Sequence, residues 1–262
     1  MNHTEFMQLF VHIKTREVYA YLLSALPTTL PTNKFVIFAQ GRSGSQLLCD
    51  LINTHPSIHC DTEILRKIRV LFPLQYVQGR AARIQENTYG FKVKIYQLTD
   101  DQKIDPHSFL TQLHNQEWKI IYLKRLNALR QSLSMLIAIN RRNAWHLTSR
   151  QTVDLKKIYI NPEKLIKEIE RRLNYLNLEK DLLTDLPHLP LVYESDLLNP
   201  ENHQTTLNQI FDYLGIDSVS VKTHFKRTTA LPLSHYIQNY DEIVHSINQT
   251  PYAEFLADEN QG

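Results

Sequence analysis

The chain has 262 residues, 42% of them hydrophobic, and a net charge of +2, which suits one large α/β domain or two small ones with a sizeable core. So nearly neutral a balance lacks the electrostatic footprint of a nucleic-acid binder. Cys49 and Cys60 are too few for a disulfide framework and lack metal-ligand spacing, as a reducing compartment favours.

No run approaches the 18 or so apolar residues of a membrane span. Lys14, Arg16 and Glu17 interrupt the N-terminus before a signal-peptide stretch develops. The expectation is a cytoplasmic protein with no transmembrane segment. Residues 4–26 read as one or two amphipathic helices, with Phe6, Leu9, Phe10 and Ile13 on one face, ended by Pro27 and Pro31. This segment, 1–33, either caps a sheet or contacts a partner, and it precedes a single domain over 34–262.

Lys34 is followed by five apolar residues, Phe35 to Ala39, which read as a buried strand. Next comes Gln40-Gly41-Arg42-Ser43-Gly44-Ser45-Gln46, then Leu47, Leu48, Leu51 and Ile52 at helical spacing. Strand, glycine-containing turn and helix make the geometry of a phosphate cradle. Gly41 and Gly44 allow close backbone approach, the helix start favours an anion, and Arg42 adds a charged fork. An ordinary strand-turn-helix connection uses the same glycines, but it does not account for an arginine and two hydroxyls at the helix start. No lysine follows Gly44, so the GxxxxGK[ST] loop of ATP and GTP sites is absent.

His55-Pro56 marks a turn, and Ser57 to Cys60 a short strand with Glu63 just beyond its end. In a parallel sheet that carboxylate lies beside the loop, a candidate general base; a solvated carboxylate is the alternative, and His59 is the rival base. Residues 64–89 form a basic insert with Arg66, Lys67, Arg69, Arg80 and Arg83, helical or lid-like, facing either an anionic ligand or solvent. Gly90 to Ile95 alternates as a strand with Lys92 and Lys94 on one side, and 105–116 is helical.

Trp118 to Leu123 is a clear strand, ended by Lys124 and Arg125, and Asn127 is a good N-cap for a helix over 128–146. At 100° per residue, Leu129, Leu133 and Leu136 share one face with Ser132. Asn127, Arg130, Ser134, Arg141 and Trp145 fall within about 60° of one another on a different face. Residues 162–186 form a strongly charged outer helix, with Pro187 and Pro190 bracketing the turn after it. Leu191 to Tyr193 is a strand, 201–214 a helix closed by Gly215, 222–229 a basic hydroxyl-rich loop, and 238–257 a last helix. Strands alternating with helices predict one α/β domain with a mainly parallel sheet.

The segments FAQGRSGSQLL, HPSIHCDTEIL, YLKRLNALRQSLSMLIA with NAWH, VYESDL with FDYLGI, and THFKRTTALPLSHYIQNYDEI, in this order, resemble the sulfotransferases that use 3′-phosphoadenosine 5′-phosphosulfate (PAPS). The nearest likeness is to the bacterial carbohydrate-type branch, including nodulation-factor sulfotransferases. The resemblance implies a P-loop-containing three-layer α/β/α fold and transfer of a sulfuryl group, without a metal, to a hydroxyl of a carbohydrate or glycolipid. It places Arg42 on the 5′-phosphate and bridging oxygen. Ser43, Gly44 and Ser45 donate to that phosphate, and Gln46 departs from the usual Ser or Thr. Arg125 and Ser134 match the pair on the 3′-phosphate, Glu63 the catalytic glutamate, and Lys226 to Thr228, with Arg227 and Thr228, the late loop near the adenosine. Trp145, Tyr76 and the basic insert are candidates to line an acceptor site. A P-loop kinase and a non-catalytic nucleotide- or carbohydrate-binding protein are the rival readings.

Overall fold

The computed structural model describes residues 3–26, 30–140, 147–148, 157–223, 225–226 and 232–257. Helix α1 (His3–Ala25) leads to β1 (Asn33–Ala39), α2 (Ser45–Ile52), β2 (Ile58–Asp61), α3 (Pro73–Ala81) and β3 (Thr88–Val93). A π-helical turn (Gln97–Gln102) precedes α4 (Pro106–Asn115), β4 (Trp118–Lys124), α5 (Ala128–Asn140) and β5 (Leu147–Thr148). Then come α6 (Pro162–Leu182), β6 (His188–Val192), α7 (His203–Leu214), β7 (Phe225–Lys226), α8 (Tyr240–Asn248) and α9 (Glu254–Ala257).

Five strands form one parallel sheet in the order β2-β3-β1-β4-β6. β5 and β7 pair separately and antiparallel. The first two crossovers from β1 build β2 and β3 on one side, whereas β4 and β6 add on the other. The sheet therefore changes winding direction between β1 and β4, and a crevice opens at the carboxyl ends of those two strands, where open α/β sheets take their ligands.

β1 is continuous in hydrophobicity because both its faces are covered. Val36 and Phe38 join one core with Phe91, Ile120 and residues of α1, α3 and α4. Phe35, Ile37 and Ala39 join the opposite core with Ile121, Leu123 and residues of α2 and α7. A third cluster packs α5, α6 and α8 together beyond the sheet. The result is the three-layer α/β/α arrangement with a parallel central sheet. Gly90 lies beneath the Phe35 ring, where a Cβ would come within 2.2 Å of Cζ.

Several boundaries differ from the sequence expectation. The predicted last helix is two, α8 and α9, interrupted around Pro251, which cannot continue a helical hydrogen-bond ladder. β6 begins at His188 and includes Pro190; as an edge strand it tolerates the missing donor. The N-terminal segment is one helix, and it docks through the later turns of the predicted face, where Glu17 and Ala20 fall within the arc of Phe6 to Ile13 at 100° per residue. Glu17 and Ala20 are buried, and Phe10 is exposed. Glu17 Oε1 accepts from Leu71 N at 2.6 Å, and Tyr21 Oη from Phe72 N at 2.8 Å. Among the described residues, no helix is long and apolar enough to cross a membrane.

Candidate active site

The loop between β1 and α2 sits at the reversal point of the sheet, and its shape is fixed by partners outside it. Gly44 takes a left-handed conformation, φ 88°, as N-cap of α2, and a Cβ there would lie 2.5 Å from Cδ2 of Tyr193. Arg42 is also left-handed, at φ 66°, a conformation that is uncommon for a residue with a side chain. Three successive carbonyls are held by donors. Gln40 O accepts from Ser43 Oγ at 2.7 Å, and Gly41 O from Arg172 Nη1 at 3.0 Å and Gln131 Nε2 at 2.9 Å. Arg42 O accepts from Arg125 Nη1 at 3.1 Å. In planar trans peptides N–H and C=O point opposite ways, so these contacts turn the amides of Gly41, Arg42 and Ser43 away from the donors. With the first-turn amides of α2, which have no intrahelical carbonyl, they suit an anion.

Arg125 and Ser134 lie 83 and 92 positions after Arg42 in the chain and meet it in space. Arg42 Nε donates to Ser134 Oγ at 3.0 Å. Arg125 stacks over the Tyr193 ring at 4.6 Å and pairs with Glu194 at 3.8 Å. Glu194 in turn accepts from Leu126 N and Asn127 N at 3.0 and 3.1 Å, holding the start of α5. Asn127 caps that helix by accepting from Arg130 N at 2.8 Å. Ser132 is buried on the leucine face, as its position in the helix predicts. Burial, then the neighbouring Arg125 and Arg172 cations, pushes the Arg42 guanidinium down to about 10, although Tyr193 acts in the opposite direction. The site is thus built to gain from an anion that relieves crowded positive charge.

Ser43 is fully buried, with its hydroxyl turned back onto Gln40. Ser45 opens α2 and is also buried. Gln46 accepts a hydrogen bond from Lys92 Nζ at 2.8 Å. Glu63 lies one lysine from the loop at two points: Lys94 Nζ is 2.7 Å from its Oε1 and Lys92 Nζ 3.5 Å. Gln97 Nε2 donates to its Oε2 at 2.9 Å, and Arg66 Nε lies 3.7 Å from that oxygen. Burial raises the Glu63 pKa, but Lys94, Lys92 and Arg66 outweigh it and hold the carboxyl below its usual range. His59 instead approaches Asp61 at 3.4 Å, on the far side of β2 among Arg80 and Tyr89.

Two expectations are corrected. Tyr76 is buried in the core and cannot line an open acceptor site, and Arg80 of the basic insert is a buried partner of Asp61 at 2.6 Å. The helix expected to lie outside, α6, buries Arg172 and Glu179 against the loop side of the sheet. Gln40 Nε2 donates to Glu179 Oε2 at 3.2 Å. These residues, with Lys92, Lys94 and Gln131, were not singled out as site residues in the sequence. A signal existed: Arg172 and Glu179 share one helix face with Leu165 and Ile169, within about 80° at 100° per residue. Trp145, Arg227 and Thr228 lie outside the described residues. Among the described residues, no group of three or more His, Cys, Asp or Glu side chains is placed to hold a metal ion.

No protein-family model matches the chain, and no curated protein does. Among solved structures it is similar to mouse sulfotransferase SULT7A1 complexed with PAP, at 14% identity and a TM-score of 0.49, covering 94% of this chain and 95% of that one.

Proposed function

We propose that the protein transfers a sulfuryl group from PAPS to an acceptor hydroxyl of a carbohydrate or glycolipid. The observation that carries this reading is the meeting of a loop arginine with a second arginine–serine pair at the sheet's reversal point. Arg42 Nε reaches Ser134 Oγ at 3.0 Å and Arg125 Nη1 reaches Arg42 O at 3.1 Å. One anion suits the loop and a second suits Arg125 with Ser134, as a nucleotide with phosphates on both 5′ and 3′ oxygens requires. The loop shape also supports it: Gly44 is left-handed and packed against the Tyr193 ring where no Cβ fits, and the loop carbonyls are bound by donors outside the loop, turning the amides the other way.

PAPS, when bound, supplies the sulfuryl group on its 5′-phosphate. Arg42 and the loop amides stabilise negative charge on the bridging oxygen as the S–O bond to the leaving phosphate breaks. Glu63 takes the proton of the acceptor hydroxyl as the new S–O bond forms, a role worth roughly 10²–10⁴-fold. Ser43 and Ser45 support the loop, and Gln46 is anchored to Lys92. Arg227 and Thr228 complete the nucleotide site in this reading.

Calorimetry tests it. The protein is expected to bind adenosine 3′,5′-bisphosphate, and Arg125→Ala to weaken that ligand far more than adenosine 5′-phosphosulfate. Equal loss for both would contradict the 3′-phosphate assignment. A screen of glycan and glycolipid acceptors with labelled PAPS tests transfer.

A further inference from the structure

The arrangement around Glu63 sets a chemical problem. A base must be ionised, yet a carboxylate stabilised by several cations takes up a proton weakly. The groups facing it are Lys92 on β3, Lys94 and Tyr96 just beyond β3, Gln97 of the π-helical turn, and Arg66 from its own segment.

The two lysines are not equivalent. Lys92 is the more buried, with its side chain 4% exposed, and it has a second fixed partner in Gln46 at 2.8 Å. Lys94 is 14% exposed and makes the shorter contact to Glu63. Its ammonium also reaches the phosphate loop: a Cβ built on Gly41 would lie 3.7 Å from Lys94 Nζ. Lys94 therefore stands between the carboxylate and the place where the loop would hold an anion.

We propose that Lys94 exchanges partners, clamping Glu63 in the ligand-free protein and turning to an anion bound on the Gly41–Gln46 loop, so that Glu63 becomes an effective base only after the nucleotide is seated. Lys92 is the fixed member, held by Gln46, and keeps the carboxylate oriented in both states. This gives Gln46 a role as a positioning residue in place of the hydroxyl that the loop lacks. The inference rests on the sulfotransferase reading. The burial of Lys94 sharpens the exchange. Burial lowers its pKa and Glu63 only partly restores it, so an incoming anion offers a stronger partner. By linkage, a ligand that raises the Glu63 pKa binds more tightly as pH falls through that pKa.

The test follows the Glu63 carboxyl carbon by ¹³C NMR across pH, with the resonance identified by its loss in Glu63→Gln. Saturating adenosine 3′,5′-bisphosphate, verified by calorimetry, is expected to raise the midpoint by about 1 pH unit or more, the effect of losing one close cation. PAPS in a parallel arm shows whether the phosphate or the sulfuryl group draws the lysine; a rise with either supports the exchange. Lys94→Met should raise the midpoint without ligand and abolish the further rise. Lys92→Met should raise the baseline and preserve the ligand-induced change. Ligand binding with an unmoved Glu63 midpoint in the wild type overturns the proposal alone, as does a full ligand-induced rise in Lys94→Met. Failure of either nucleotide to bind overturns the sulfotransferase reading and the exchange with it.

Discussion

Arg42 carries a double cost. Its φ of 66° places a side chain in the left-handed region, worth roughly 1–2 kcal/mol against an ordinary conformation. Its guanidinium is partly buried, and burial, then the charges of Arg125 and Arg172, pushes its pKa down to about 10. Strain and like charge kept together at one residue are what a binding site retains and a purely structural turn sheds. Arg42→Gly should therefore raise the melting temperature of the ligand-free protein, because it removes both costs. It should also abolish stabilisation by adenosine 3′,5′-bisphosphate. Arg42→Ala should lose the ligand response with a smaller gain, since alanine keeps the unfavourable φ. Thermal unfolding with and without nucleotide checks the pair, and a marked fall in stability of Arg42→Gly would show that the guanidinium holds the fold together. The loop itself was readable because glycine, arginine and hydroxyl residues fall between a buried strand and a helical apolar pattern. The partners of its carbonyls were not, because Gln131 and Arg172 lie 90 and 131 residues away. Gln46 looked like a missing hydroxyl in the sequence; only the pairing of β1 with β3 brings Lys92 to it.

At the scale of elements, apolar periodicity located the helices and the docked face of α1, but not the residues that seat it. α1 docks through a small residue and polar anchors. A Cβ on Gly79 of α3 would lie 1.8 Å from the Ala20 carbonyl oxygen, so the two helices are in backbone contact. No hydrophobic pattern announces a contact made by the absence of a side chain. Gly79→Val should force α1 off α3, expose the Glu17 and Tyr21 anchors, and destabilise by about 1–3 kcal/mol as overpacking does. Urea unfolding reads the loss, and limited proteolysis should show earlier cleavage within α1. Unchanged stability and cleavage would mean that α1 is not seated on α3. α6 was misjudged because of its charges. Its many charges suggest a solvated helix, yet two of them occupy the face of Leu165 and Ile169 and enter the interior. α5 fared better: the two-stripe reading separated Ser134, which meets Arg42, from Ser132, which packs.

In the whole molecule, the buried polar chain under the loop ties the layers together. Glu179 of α6 is fully buried and accepts from Tyr122 of β4 and from Gln40 at the end of β1, both at 3.2 Å. Burial raises its pKa to about 7, even though the bonds from Gln40 and Tyr122 and the charge of Arg172 pull the other way. In the unfolded chain the same carboxyl titrates near its ordinary value of 4.5. Between those two values the folded protein holds a proton that the unfolded chain has released. Its contribution to stability therefore falls as pH rises from about 4.5 to about 7 and stays at the lower level above that range. At 1.36 kcal/mol per pH unit, the loss is at most about 3 kcal/mol. Glu63 acts in the other direction. Its folded pKa is lowered, so its contribution is present above its unfolded pKa and is lost as pH falls through the folded value. The two carboxyls oppose each other at different ends of the acid range. Glu179→Gln keeps an acceptor for Gln40 and Tyr122 but has no proton to release. Its advantage over wild type, measured by denaturant unfolding at a series of pH values, should be near zero at pH 4.5, grow through pH 6 and level off above pH 7. A constant difference across that range would show that Glu179 contributes through packing alone, and a difference that shrinks with rising pH would reverse the assignment of its buried, protonated form.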